Sequence, residues 1–217
     1  MTITHPTRKI DIIDEKLIIA GTGAVGLSQR FSSTVEKLFA SPALKGSAIE
    51  WCKLMAAAGI TDFGQTGIRP GGFGALAGFV HQGVPHLCEF AVADLQPELK
   101  NKRIWYVSMG SGQNLADPYL ALMRMAFWRD GPPTLQSGIF ASAWVMQHAI
   151  EAAPGLIRAP IDIAIISADD RKARLLNQDE LDEHLSMVAK SMDHFRAFEE
   201  RFKNTADAPD LPEPRGE

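Results

Sequence analysis

Two β-patterned runs, Lys9–Ile13 and Lys16–Ala20, are separated only by Asp14-Glu15. A two-residue connection joins antiparallel strands and is far too short for the crossover that parallel strands need. Ala75–Val80 and Leu87–Val92 read as a second hairpin of strands, around His81-Gln82-Gly83. Between and after these hairpins the apolar spacing turns helical. Leu27, Phe31, Val35 and Leu38 mark one helix stopped by Ser41-Pro42, and Ile49, Trp51, Leu54 and Met55 mark another over Ser47–Ala58, with Gly59 as its expected C-cap. Further helices are expected over Asp117–Trp128 and Ser137–Ala152, and a strand over Ile161–Ile166. Helix pairs alternating with hairpins predict an α+β fold with antiparallel sheets and helices outside.

The stretch that joins both periodicities runs from Ile104 to Met123. Ile104–Met109 reads as a strand, Gly110-Ser111-Gly112 breaks it, and Leu115, Tyr119, Leu122 and Met123 then fall at helical spacing. Asn114 or Asp117 is available as the cap, with Pro118 in the first turn. A strand turning through Gly-Ser-Gly into a helix gathers backbone N–H groups and a hydroxyl at one point, as a site for chemistry would. A tight turn is the simpler account of the same residues.

A chain of 217 residues, 46% hydrophobic, can bury one sizeable core. Its formal net charge of −4 and isoelectric point near 5.9 favour neither nucleic acid nor an anionic membrane surface as partner. Cys52 and Cys88 are the two cysteines, too few for a disulfide scaffold or a zinc site. The polar start with Pro6 is no secretory signal, and no apolar run approaches the ~20 residues of a membrane span, so a cytoplasmic protein is expected. The loop Gly64–Gly74 holds five glycines and reads as mobile. The last helix, about Gln178–Lys203, carries an apolar stripe from Leu181 to Phe202, and the proline-rich, charged end beyond it reads as disordered. The expected organisation is a domain over 1–176, an amphipathic helix over 177–204 and a tail over 205–217.

Gly21-x-Gly-x-x-Gly26, after a strand and before a helix, has dinucleotide-binding spacing. The acidic residue that should end a second parallel strand about 20 residues on is here Glu50, inside the Ser47–Ala58 helix. A close-packed strand-to-helix turn is therefore favoured, and a nucleotide-binding α/β protein using Gly21–Gly26 is kept as an alternative.

Taken together, Lys9–Gly23, the Gly26–Phe39 helix, Tyr106-Val-Ser-Met-Gly-Ser-Gly112 with its helix, and Pro160–Ile166 resemble the proteasome-type N-terminal nucleophile (Ntn) hydrolase family. They follow that family's order and spacing over roughly residues 7 to 176. The resemblance implies a four-layer αββα sandwich of antiparallel sheets, N-terminally incomplete here and followed by a C-terminal helix. It also implies a homo-oligomer (ring or dimer), a peptide or amide substrate, and no cofactor or metal. The family's nucleophile is an N-terminal threonine, serine or cysteine with its own α-amino group as base. By resemblance Ser111 is a supporting catalytic residue, Gly110 and Gly112 give the oxyanion backbone, and Asp162 matches in a more structural position.

The departures are as specific. The family's first hairpin, which carries the nucleophile and an Asp, has no counterpart in this chain. The family's lysine position falls at Thr4 or His5, and Pro154-Gly-Leu-Ile157 stands where the family has an acid and a serine. Thr2 would be a free N-terminal threonine after removal of Met1, but the resemblance places it too late in the fold to reach the site. The six histidines show no metal-ligand spacing, and His184 and His194 are expected on a solvated helix face. The resemblance further implies a reading frame that continues upstream of Met1 into the missing hairpin. Without that hairpin, the Lys9–Ile13 edge is blunted only by Lys9, Asp11 and Lys16, and self-association is expected. The functional expectation is amide or peptide hydrolysis of the threonine-peptidase type. A non-catalytic subunit for assembly or binding is its alternative.

Overall fold

A computed structural model of the protein describes residues 9–41, 45–69, 71–167, 169 and 171–204. The first hairpin forms as its spacing predicts: β1 (Ile10–Ile13) pairs antiparallel with β2 (Leu17–Gly23). Asp14 and Glu15 both take positive φ, 49° and 50°, the backbone that lets a two-residue loop follow the strands' twist. Gln82 and Gly83, at 51° and 80°, do the same for β3 (Phe73–His81) and β4 (Val84–Phe90). With β5 (Pro97–Leu99) these strands make one antiparallel sheet in the order β1-β2-β3-β4-β5.

Period-two alternation gives this sheet two apolar faces. Leu17, Ile19, Phe73, Ala75, Ala77, Phe79, Cys88 and Phe90 are buried on one of them. They pack against Phe31 and Val35 of α1 (Val25–Phe39) and Cys52, Met55, Ala56 and Phe63 of α2 (Ala48–Gly64). Asp11 shares this face and is satisfied by the buried Ser32, whose Oγ donates to its carboxylate at 2.6 Å. At the far edge, Glu89 and Glu98 stand opposite each other with the Lys100 Nζ between them, at 2.6 and 3.0 Å. Burial pulls the Lys100 ammonium down, but its hydrogen bonds to the two carboxylates outweigh that and hold it above the usual lysine range.

The second face carries Ile10, Ile18, Ala20, Leu76 and Leu87. Across a cleft of about 550 Å³ lie Tyr106, Val107, Ile139 and the Ile163–Ile166 run. Behind this cleft stand α3 (Gln113–Phe127), α4 (Leu135–Ala152) and a two-stranded antiparallel sheet of β6 (Ala164–Ile166) and β7 (Ala173–Leu175). The small sheet is tied to the first hairpin by Ala173 N donating to Glu15 O at 2.7 Å and by Lys172 Nζ–Glu15 Oε2 at 3.0 Å. α5 (Gln178–Asn204) closes the chain. The fold is thus mixed α+β, with a five-stranded antiparallel sheet, a two-stranded sheet and five helices among the described residues. No helix among them is long and apolar enough to cross a membrane.

Several expectations are corrected. Ile104–Met109 is not a strand. Ile104 is exposed and Trp105–Met109 are half-buried, with the Trp105 ring against Tyr106 and Trp128 at 5.2 and 5.8 Å. A ladder needs a neighbouring strand, and the position beside β4 is taken by β5. The strand expected over Ile161–Ile166 shortens to β6 and gains β7 as partner. α2 does not stop at Gly59. It runs on to Gly64, because the missing side chain at 59 makes room for Phe31, whose Cδ2 would lie 2.7 Å from any Cβ there. The expected loop 64–74 therefore gives up Gly64 to α2 and Phe73 and Gly74 to β3. His184 is not on a solvated face: it is 5% exposed, with Nδ1 unpartnered, whereas His194 is exposed. Thr2, Thr4, His5 and the 205–217 tail lie outside the described residues.

Candidate functional site

Gly110-Ser111-Gly112 turns the chain from the extended 105–109 segment into α3. Gly110 has φ of 92°, a conformation that L side chains rarely adopt, and Gly112 is the N-cap residue. Neither expected cap is used: the helix starts earlier, at Gln113, and Pro118 falls inside it. Asp117 instead ties the corner down, accepting hydrogen bonds from Ser108 Oγ and from Gln113 Nε2 at 3.2 Å.

Two other sequence features meet here. A Cβ on Gly110 would lie 3.0 Å from Thr22 Oγ1, so the end of β2 abuts the corner. A Cβ on Gly112 would lie 2.4 Å from Ile157 Cδ1, and Ser111 Oγ donates to Leu156 O at 3.4 Å, a long and weak contact. The fold therefore brings the Gly-Ser-Gly corner, the Gly21-Thr-Gly23 strand end and the Pro154–Ile157 segment together. Thr22 and Ser108 carried no separate signal in the sequence, and Asp117 stood out only as a cap candidate; Thr22 was hidden inside a glycine run that reads as packing.

At the start of the 15-residue α3, Gln113 N donates to Gly110 O at 3.1 Å and Leu115 N and Ala116 N donate to Gly112 O at 3.0 and 2.9 Å, and the helix start carries a partial positive charge. The exposed Ser111 hydroxyl beside this partial charge is a hydrogen-bond donor suited to a developing oxyanion. The corner does not pair Ser111 with a base, since the hydroxyl's contact is a carbonyl oxygen. Asp162, the other residue matched by resemblance, is exposed.

The Gly21–Gly26 segment is built for packing. A Cβ at Gly21 would lie 2.1 Å from Ser28 Oγ, and one at Gly23, where φ is 93°, would lie 2.0 Å from Gly72 O. Gly26 does not share this reason, having nothing within 4 Å of a Cβ position. β2 pairs antiparallel with both neighbours, so the parallel strand of a dinucleotide-binding unit is not beside it. Glu50 closes a capping box, accepting from Ser47 N at 2.6 Å and Ser47 Oγ at 2.9 Å. Those bonds, the backbone one first, hold its carboxyl below the usual range.

Cys52 and Cys88 are both free and buried in the first core. Among the described residues, no group of three His, Cys, Asp or Glu side chains could hold a metal ion. No protein-family model matches the chain, and no curated protein matches it.

Proposed function

We propose that the protein is a proteasome-like Ntn-hydrolase domain acting on amide or peptide bonds, with the Gly110–Gly112 corner as its oxyanion-binding side. The observation that supports this most is the meeting of that corner with Thr22 and Leu156–Ile157 at the start of α3. The layering supports it too: α1 and α2 cover one face of the five-stranded sheet, and β6 with residues of α3 and α4 lies across the apolar cleft on its other face.

In the proposed reaction the N-terminal hydroxyl or thiol attacks the carbonyl carbon while its proton passes to the free α-amine. The oxyanion is held by N–H groups of the corner and by Ser111. Collapse expels the substrate amine with that proton, and water hydrolyses the acyl-enzyme. The test is hydrolysis of fluorogenic peptides by the protein purified from its own cells. Ser111→Ala should lower kcat/KM at least ~10-fold without changing the melting temperature, because Ser111 is exposed. Equal activity of both proteins would remove Ser111 from the mechanism.

A non-catalytic assembly subunit is favoured by one observation, that Ser111 hydrogen-bonds a carbonyl and Pro154–Ile157 brings no acid or hydroxyl to it. Inactivity of the native protein on every peptide and amide offered would support that alternative.

A further inference from the structure

Cys52 and Cys88 are the chain's two cysteines, and the fold puts them on facing elements of the first core, α2 and β4. Small side chains surround both. Ala48 and Ala56 lie one turn either side of Cys52 on the same buried stripe, and Ala77 stands opposite Cys88 in the ladder. With so little side chain between the layers, Cα atoms of α2 and β4 come within 8 Å of each other. The two thiols hydrogen-bond across that gap, and neither is exposed. The bond from Cys88 holds the Cys52 thiol below the usual cysteine range, and the same bond, with burial adding to it, holds the Cys88 thiol above that range. Cys88 Sγ also lies 3.7 Å from Glu89 O, a second acceptor for its proton.

We propose that Cys52 and Cys88 form a reversible disulfide that fastens α2 to β4 when hydrogen peroxide is present. A disulfide takes a Cα separation of about 4.4–6.8 Å, and two thiols already in contact between closely approaching backbones meet that with a small shift. Hydrogen peroxide is scarcely larger than water, so brief local opening of the core admits it. The Cys52 thiolate attacks one peroxide oxygen and the O–O bond breaks. The released hydroxide takes the proton that Cys52 gave up, leaving water and a Cys52 sulfenic acid. The Cys88 sulfur then displaces the sulfenic hydroxyl, which departs with the Cys88 proton as a second water. Two thiols and one peroxide become one disulfide and two waters, and the two electrons lost by the sulfurs reduce the peroxide. The bond ties the helix layer to the sheet and closes a loop that includes β3, which restricts the unfolded chain. It does not involve the Gly110–Gly112 corner, so it is independent of the proposed function.

The test treats the folded full chain with hydrogen peroxide, removes the excess with catalase, unfolds the protein in guanidinium and labels free thiols with N-ethylmaleimide before peptide mapping. Oxidation of Met125, which is 64% exposed, shows that the peroxide has acted. The expected result is no maleimide on either cysteine, a Cys52–Cys88 linked peptide within one chain, and both thiols restored by dithiothreitol. The oxidised chain should also resist guanidinium, with an unfolding constant at least ~30-fold lower than that of the same sample after dithiothreitol. Cys88→Ala should leave Cys52 as a sulfenic acid that dimedone traps, whereas Cys52→Ala should leave Cys88 a free thiol. Maleimide on both wild-type cysteines once Met125 is oxidised would overturn the proposal. So would cysteines carried on to sulfinic acid, or a disulfide that joins two chains.

Discussion

Phe31→Ala should cost about 3–5 kcal/mol of folding stability. Phe31 is fully buried where three elements meet. Its ring lies 5.5 Å from that of Phe73 and 5.3 Å from that of Phe90, and its edge fills the space left by Gly59 on α2. Truncation removes the contact between α1, α2 and the sheet together, and the bare backbone at Gly59 cannot move in to fill the gap. Against a typical total of about 5–15 kcal/mol, that loss is a large share. Guanidinium unfolding should show a lower midpoint with an unchanged slope. A loss under ~1 kcal/mol would mean that the two helices do not depend on this ring.

Gly23→Ala should cost about 3 kcal/mol, combining the left-handed backbone with a forced contact. At φ of 93° the new methyl would sit 2.0 Å from Gly72 O, the carbonyl that accepts the Ala24 N–H. The strain falls on backbone, which relaxes poorly. It would also displace the neighbouring Thr22 from the Gly110 corner. Gly26→Ala, three residues on, is the control: it lies in α1 with open space around it and should be neutral or stabilising by up to ~1 kcal/mol. Equal melting temperatures for the two variants would contradict this division of the glycine run into packed and open positions.

These contrasts mark what was legible in the chain. The first hairpin could be read because its connection is two residues long and the alternation around it is clear; the second was legible around His81-Gln82-Gly83, but its return strand, expected over Leu87–Val92, runs earlier as β4, Val84–Phe90. Helices α1, α3 and α4 could be read because their apolar spacing runs for several turns. β5 and β7, with three residues each, are too short for a periodicity and exist because a neighbouring strand is there to pair with. Ile104–Met109 failed for the converse reason, since it has strand composition and no ladder partner. His184 looked solvated because charged residues flank it on α5, yet it sits between Leu181 and Val188 on the face turned to the body. At the corner, the sequence could single out Gly110–Gly112, Gly21–Gly26 and Pro154–Ile157 separately. Their meeting is a long-range consequence of the fold that no local pattern encodes.

The most direct measurement is the intact mass of the protein isolated from its own cells, before and after treatment with a peptide epoxyketone, which forms a stable ring only with an N-terminal nucleophile and its free amine. A single adduct on the N-terminal residue, suppressed by competing peptide substrate, is the predicted result. A protein that takes up no adduct and hydrolyses no peptide would contradict the proposed hydrolase.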